Sequence, residues 1–226
     1  MHFTPLRGNA KSPIVIPAWY FLITKKAFFM PQSPERLNAP SPSTIDLLLS
    51  RRSGSAKAMT GPGPDAAQLK QILSAAIRVP DHGKLAPWRF IIFEGDGRAR
   101  MGDILAGAVM SERDASPERA ETERGRFLRA PLVIGVVSRV REGFVIPAWE
   151  QQLSAGAACM NILIAATSLG FVANLITEWC AYHPRVLERI GLKQGERIAG
   201  FIYIGQSTVP VEDRRRPDLD PLVTRF

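Results

Sequence analysis

Apolar residues at Leu69, Ile72, Leu73, Ala76 and Ile77 recur at i, i+3, i+4, i+7 and i+8. That single stripe predicts an amphipathic helix over 66–77, with Asp65 as its N-cap. A shorter segment at 45–49 (Ile45, Leu47, Leu48, Leu49) is apolar on more than one side; Ser43 would cap it and Asp46 would complete a short capping box. Unbroken apolar runs of strand length follow at 90–93, 132–137, 171–176 and 198–204, and the run at 132–137 predicts a strand buried on both faces. Between them, Gly95 to Gly97 reads as a turn and 98–110 as a helix. Residues 147–168 form a long helix whose interior is apolar almost all round and carries small residues, as in a central core helix or a dimer interface. Gly170 ends it, and a last helix spans 184–190. Residues 111–129 are dominated by Glu, Arg and Ala and read as a helical, solvent-facing excursion. Residues 206–226 carry three prolines and the triplet Arg214-Arg215-Arg216, which predicts an extended arm. Helices grouped with a few mostly non-sequential strands give an α+β class, helices packed on a sheet.

The first forty residues differ. Residues 14–24 are apolar behind Arg7 and Lys11, yet Pro13 and Pro17 interrupt the run, Lys25 and Lys26 stand where a cleavage site belongs, and the run is far short of the ~20 residues that span a bilayer. Residues 1–40 are read as an unstructured or loosely attached extension, which a translation start at Met30 would remove, leaving 41–226 as the folded domain.

Composition narrows the chemistry. The 226 residues are 46% apolar, enough to bury a proper core, and 29 Lys+Arg against 21 Asp+Glu give a formal charge of +8. That excess permits nucleic acid, an anionic surface or an anionic small molecule. The positive residues fall in short clusters rather than one stripe, and a phosphate-bearing cofactor needs only a few of them. Two cysteines, Cys159 and Cys180, make neither a disulfide framework nor a metal spacing; a buried free thiol and a reducing, cytoplasmic compartment fit. Of three histidines only His82 lies in a plausible site, so a hydrolytic triad or a zinc site has little support.

The stretch Arg-Val-Pro-Asp-His-Gly-Lys-Leu-Ala-Pro-Trp-Arg-Phe-Ile-Ile-Phe from Arg78 concentrates donors on a loop that cannot be helical, because Pro80 and Pro87 bracket it. An ordinary helix-to-strand connection with a solvated His and Lys is the plainer reading. A second stretch, Ser50-Arg51-Arg52-Ser53, follows the first helix. Taken in order, Arg-Arg-Ser after a short helix, then Arg-x-Pro-Asp-His and Pro-Trp-x-Phe, resemble the nitroreductase family of FMN-dependent oxidoreductases. The resemblance runs from about Ser43 to Phe226 and is nearest to small single-domain members with Pro-Asp-His in this loop.

The resemblance implies a mainly antiparallel sheet flanked by helices, a homodimer with FMN at the subunit interface, and a C-terminal arm exchanged with the partner. It implies ping-pong hydride transfer from NADH or NADPH through flavin N5 to a nitroaromatic, a quinone or a similar small oxidant, with no side chain acting as catalytic acid. A phosphate dianion wants bidentate Arg and a hydroxyl, and the family assigns phosphate and ribityl contacts to Arg51, Arg52 and Ser53. Charge on the reduced ring wants a cation or donor; the corresponding positions are Arg78 and His82, with Lys84 weaker. The strand end Leu175-Ile176-Thr177 would line the ring through its backbone, and Arg216 would bring a late cation to the phosphate. Against each stands a bland role: arginines at a helix end, a solvated loop histidine, a buried strand end, a hydrated charge run. The chain also departs from the family pattern, with Ala86 where Gln often precedes Pro-Trp, and Leu-Ile-Thr at 175–177 where close members have Trp-Arg-Ser. Two other readings stay open: a flavin-free basic protein binding nucleic acid or another anionic partner, and a flavoenzyme performing dehalogenation or ene reduction.

Overall fold

Strand β3 (Leu132–Arg139) is buried along all but its last residue, as its unbroken apolar run requires. It pairs antiparallel with β2 (Trp88–Glu94) on one side and with β5 (Glu196–Ser207) on the other. β5 also pairs antiparallel with β4 (Val172–Ile176) and with β1 (Met59–Thr60). The structure is a computed structural model, and it describes residues 41–226; the expectations for residues 1–40 lie outside the described residues. Residues Pro42–Phe226 pack as one unit.

Side chains of the sheet divide between two cores. Phe93, Val133, Val137, Phe201 and Tyr203 face one, covered by α3 (Asp96–Val109) and by Phe127. Leu132, Ile134, Val136, Ile202 and Ile204 face the other, against α2 (Ala66–Ala76) and α5 (Ala148–Ser168). The alternation on β5 breaks once. Val136 pairs with Gly200 and Val137 with Ile198, so Ala199 has no opposite number. This bulge returns Ile198 to the same core as Phe201 despite its even number. Gly135 lets the aromatic side pack tightly, since a Cβ there would lie 3.3 Å from both the Phe93 and Phe201 rings.

Sequence expectations held for α2, whose Asp65 and Gln68 make a reciprocal capping box, and for the left-handed Gly170 after α5. Others shift. Helix α1 (Pro42–Ser50) begins at Pro42, so Ser43 lies inside it rather than at its cap; proline suits the first helical position. Gly95 is the N-cap of α3, which starts at Asp96 rather than Arg98. The short β1 has no counterpart among the sequence expectations. Residues 111–129 are only partly a solvent-facing excursion. Helix α4 (Pro117–Arg124) has an exposed face but buries Ala120 and Glu123, and Arg126 and Phe127 in the turn after it are buried. Phe127 contacts Phe93 and Phe201 edge-on, with ring centroids 5.0 and 5.1 Å away. A short helix α6 (Pro184–Arg189) precedes β5. Helix α5 buries one face and leaves Trp149 and Leu153 exposed on the other. No helix among the described residues is long and apolar enough to cross a membrane.

Candidate functional site

The loop after α2 is laid along α5 by hydrogen bonds at three levels. Asn161 Nδ2 donates to the carbonyls of Ala75 and Arg78. Ser154 Oγ donates to the Pro80 carbonyl at 2.6 Å and accepts from Trp88 Nε1 at 3.1 Å. Glu150 Oε2 meets His82 Nδ1 at 2.9 Å. From Arg78 to His82 the chain thus travels from position 161 to position 150 of the helix, roughly 16 Å at 1.5 Å per residue. The loop then tightens. The Asp81 carboxylate accepts from the amides of Leu85 and Ala86, both at 2.9 Å, while Gly83, Lys84 and Ala86 all have positive φ. Such backbone is strained for Lys84 and Ala86 and persists because both ends are held. A Cβ on Gly83 would lie 2.5 Å from Ile146 Cδ1, so the loop sits flush on its neighbour. Arg78 and His82 are exposed on the outer side. Trp88 is a packing residue, stacked on Phe90 and tied to Ser154.

The second group gathers at the end of α1, which packs on the same helix α5. Arg51 continues the helix by donating its backbone N–H to the Leu47 carbonyl, and among the described residues its guanidinium has no hydrogen-bond or ion-pair partner. A cation is favoured there by the helix dipole. Arg52 behaves differently: its Nε donates to the Glu212 carbonyl at 2.9 Å and pairs with Asp213 at 3.1 Å. Arg216 reaches the same Asp213 carboxylate at 3.7 Å. Arg52, Asp213 and Arg216 thereby join the end of α1 to the C-terminal arm. Ser53 is exposed and Gly54 is buried. A Cβ on Gly54 would lie 2.2 Å from Val172 Cγ1, which seats this segment against the start of β4.

β4 carries the third group. Leu175 and Ile176 are half-buried on opposite faces of the sheet, and Thr177 is exposed just beyond the strand. Gly200 lies under Leu175, where a Cβ would be 2.9 Å from Leu175 Cγ.

Arg52 and Arg216 share one carboxylate, Arg51 and Ser53 stand beside them in the chain, and Arg78 with His82 lies along α5, the helix that also supports α1. None of the nine predicted residues lines either of two clefts among the described residues. One, of about 570 Å³, lies between α3 and α6, with Asp103, Arg185 and Arg189 in its walls. The other, of about 350 Å³, lies at the bulge, with Ser138, Gln152 and Ala199. Sequence reasoning missed Asp81, Glu150 and Asp213. Asp81 had a signal, a short acceptor two residues before a glycine inside a proline-bracketed loop. Glu150 and Asp213 act on residues 68 and 161 positions away and had none.

The donor set suits an anion. Asp213 already brings a carboxylate between Arg52 and Arg216, and the adjoining Arg51 guanidinium and Ser53 hydroxyl add donors of the kind a phosphate dianion takes.

Comparison with known proteins bears on most of the chain. The nitroreductase family profile matches residues 48–206. The chain is 36% identical over 184 residues to "Putative NAD(P)H nitroreductase YdjA" of Escherichia coli K12, covering 80% of this chain and 98% of that protein. In three dimensions it resembles a nitroreductase-like family protein of Bacillus cereus, with a TM-score of 0.73 and 22% identity over 83% of this chain and 98% of the other. It also resembles an FMN-bound nitroreductase of Bacteroides fragilis, with a TM-score of 0.61 and 18% identity over 82% and 100%. The Arg-Arg-Ser and Pro-Asp-His segments, the antiparallel sheet with helices on both faces, and a profile match from Leu48 to Gln206 agree: the chain belongs to the nitroreductase family.

Proposed function

We propose that the chain is an FMN-dependent oxidoreductase that takes hydride from NADH or NADPH and delivers it to a nitroaromatic, a quinone or a similar small oxidant in a ping-pong cycle. The observation that carries this reading is the cationic corner at the end of α1. There Arg51, a guanidinium without a partner among the described residues, adjoins two others that already share a carboxylate. Family membership, a relative named for NAD(P)H nitroreductase activity and a structural neighbour with bound FMN support it.

Bound FMN would supply the two-electron centre. The chain's own residues bind and orient it. Arg51 and Ser53 donate to the phosphate and ribityl oxygens; Arg216 adds charge, and Arg52 braces the arm that carries Arg216. Arg78 and His82 present donors to the electron-rich side of the ring. Because His82 Nδ1 is engaged by Glu150, Nε2 is the atom left to face it. The backbone at Leu175, Ile176 and Thr177 forms the wall beside the reacting edge.

The site is completed by a second copy. Leu49 and Trp149 are 80% and 67% exposed, and Ile45, Leu153, Val209, Val211 and Leu219 add further exposed apolar surface on α1, α5 and the arm. Large apolar side chains left exposed on these elements fit a homodimer holding FMN between subunits with residues 206–226 laid across the partner.

The deciding experiment is the visible spectrum of the freshly purified protein. A yellow chromophore bleached by NADH or NADPH is expected; a colourless protein that fails to quench added FMN overturns the reading. Arg51→Ala should weaken FMN binding by about ten- to a hundredfold, the worth of a charge-assisted hydrogen bond, with the fold intact by circular dichroism. Light scattering should return twice the chain mass.

A further inference from the structure

The densest buried polar cluster lies on the other side of the sheet, beneath the end of β4. Arg126 is 7% exposed and Glu123 6%. The Arg126 guanidinium pairs with Glu123 through Nε and Nη2 and with Glu178 through Nη1. Glu123 also accepts from Trp179 Nε1 at 2.8 Å, and Arg129 Nη1 reaches Glu178 at 3.4 Å. Burial favours neutral forms, yet the hydrogen bonds and charges of the partners hold Arg126 charged and keep the Glu123 carboxyl below the ordinary carboxylate range. Glu178 and Trp179 come directly after Thr177, so one arginine from the turn after α4 grips the chain immediately beyond the strand end.

A buried ion pair adds little net stability over well-packed apolar residues. Its specific use is to fix one arrangement, and the arrangement it fixes here is the backbone direction at residues 176–178. Among the described residues no hydrogen bond is found for the Thr177 side chain, so the placement of this exposed residue depends on its anchored neighbours Glu178 and Trp179. We infer that Arg126 is a positioning residue for the cofactor wall, acting through Glu178 to hold the amides at the end of β4 in register with the flavin ring. This rests on the flavin reading of the site. It gives the charged segment at 111–129 a role in the site through Arg126.

The test uses the full-length protein and two substitutions, Arg126→Lys and Glu178→Gln. Lysine keeps the charge but loses the planar fork that grips two carboxylates; glutamine keeps the shape of Glu178 and removes its charge. Three properties are read on FMN titration: the dissociation constant by quenching of flavin fluorescence, the visible circular dichroism of the bound flavin, and its two-electron midpoint potential. Thermal unfolding of the FMN-free proteins is the control. The expected result is a dissociation constant raised roughly tenfold or more, as for misplacement of a binding group by a fraction of an ångström to an ångström, together with an altered visible dichroism and a displaced potential. A lowered melting temperature with all three flavin properties unchanged would show a purely structural cluster and overturn the inference. If Arg126→Lys does not fold, Glu178→Gln decides on the same readouts. Failure of the unsubstituted protein to bind FMN overturns the flavin reading and this inference together, whereas normal FMN binding in all three proteins overturns the inference alone.

Discussion

Arg51, Arg52 and Arg216 stand at or near the surface with few partners, and the one carboxylate that Arg52 and Arg216 draw on, Asp213, is itself exposed. Arg126 is sunk beneath β4 with two carboxylates on its guanidinium, one of them also held by an indole. The same side chain serves both places, and accessibility separates the uses. At the corner the Arg51 guanidinium has no partner among the described residues; beneath β4 the Arg126 guanidinium is paired with both Glu123 and Glu178. The carboxylate of Asp213 is the intermediate case, an exposed partner in pairs of the weak surface kind.

The contrast can be broken at four points, beginning with the largest effect. In the frame, α3 and α4 approach so closely that a Cβ on Gly102 would lie 2.1 Å from the Arg124 carbonyl oxygen. Gly102→Ala gains about 1 kcal/mol of helix preference but forces backbone apart at a cost of about 1–3 kcal/mol. A net loss is expected in urea titrations, and a variant as stable as the parent would deny the close packing.

The buried carboxylates should also make the frame sensitive to acid. Arg89, hydrogen-bonded to Glu196, holds that carboxyl below its ordinary value, and Arg126 and Trp179 prevail over burial to do the same for Glu123. A lowered folded pKa stabilises above the unfolded value of about 4.3 and ceases to do so as pH falls through the folded value. Stability measured by denaturant should therefore be flat from neutrality to about pH 5 and fall below about pH 4; a flat profile to pH 3 would contradict the pairing.

At the corner, the pairing of Arg52 with Glu212 and Asp213 is a partly exposed one, so Arg52→Ala should alter stability by no more than about 1 kcal/mol. Its effect should appear instead as faster proteolysis of the arm, and an arm as resistant as in the parent would count against the anchor. The smallest effect concerns the thiols. Burial pushes both Cys159 and Cys180 up to about 12. A thiol-specific reagent at neutral pH should find no thiol in the native protein and two after denaturation.

How much of the fold and the site is legible in the sequence depends on the range of the interactions. The capping box of α2, the buried run of β3 and the glycine after α5 are written in residues a few positions apart, and they stand where local pattern puts them. The basic residues at the end of α1 and the Pro-Asp-His loop are likewise readable as motifs. β1 has only two residues and no period to detect. Phe127 is hidden because it sits among Glu and Arg, and the composition of 111–129 outweighs a single aromatic residue. The Arg126–Glu178 pair spans 52 positions, and the Ala199 bulge is a property of pairing with β3 that no stretch of β5 announces alone. The commitment of Arg52 to the arm obeys the same rule, since its partners lie 160 residues on.

Helix α5 works as a ruler. Glu150, Ser154 and Asn161 are notches on one edge, and the loop from Arg78 to Trp88 is read off against them. Adding one residue between positions 154 and 161 would turn the far notch by about 100° and displace it by about 1.5 Å, unhooking Arg78 while leaving His82 in place. Length changes within this stretch are therefore far less admissible than substitutions on its exposed side, and any redesign of the site should hold the spacing of these three positions constant.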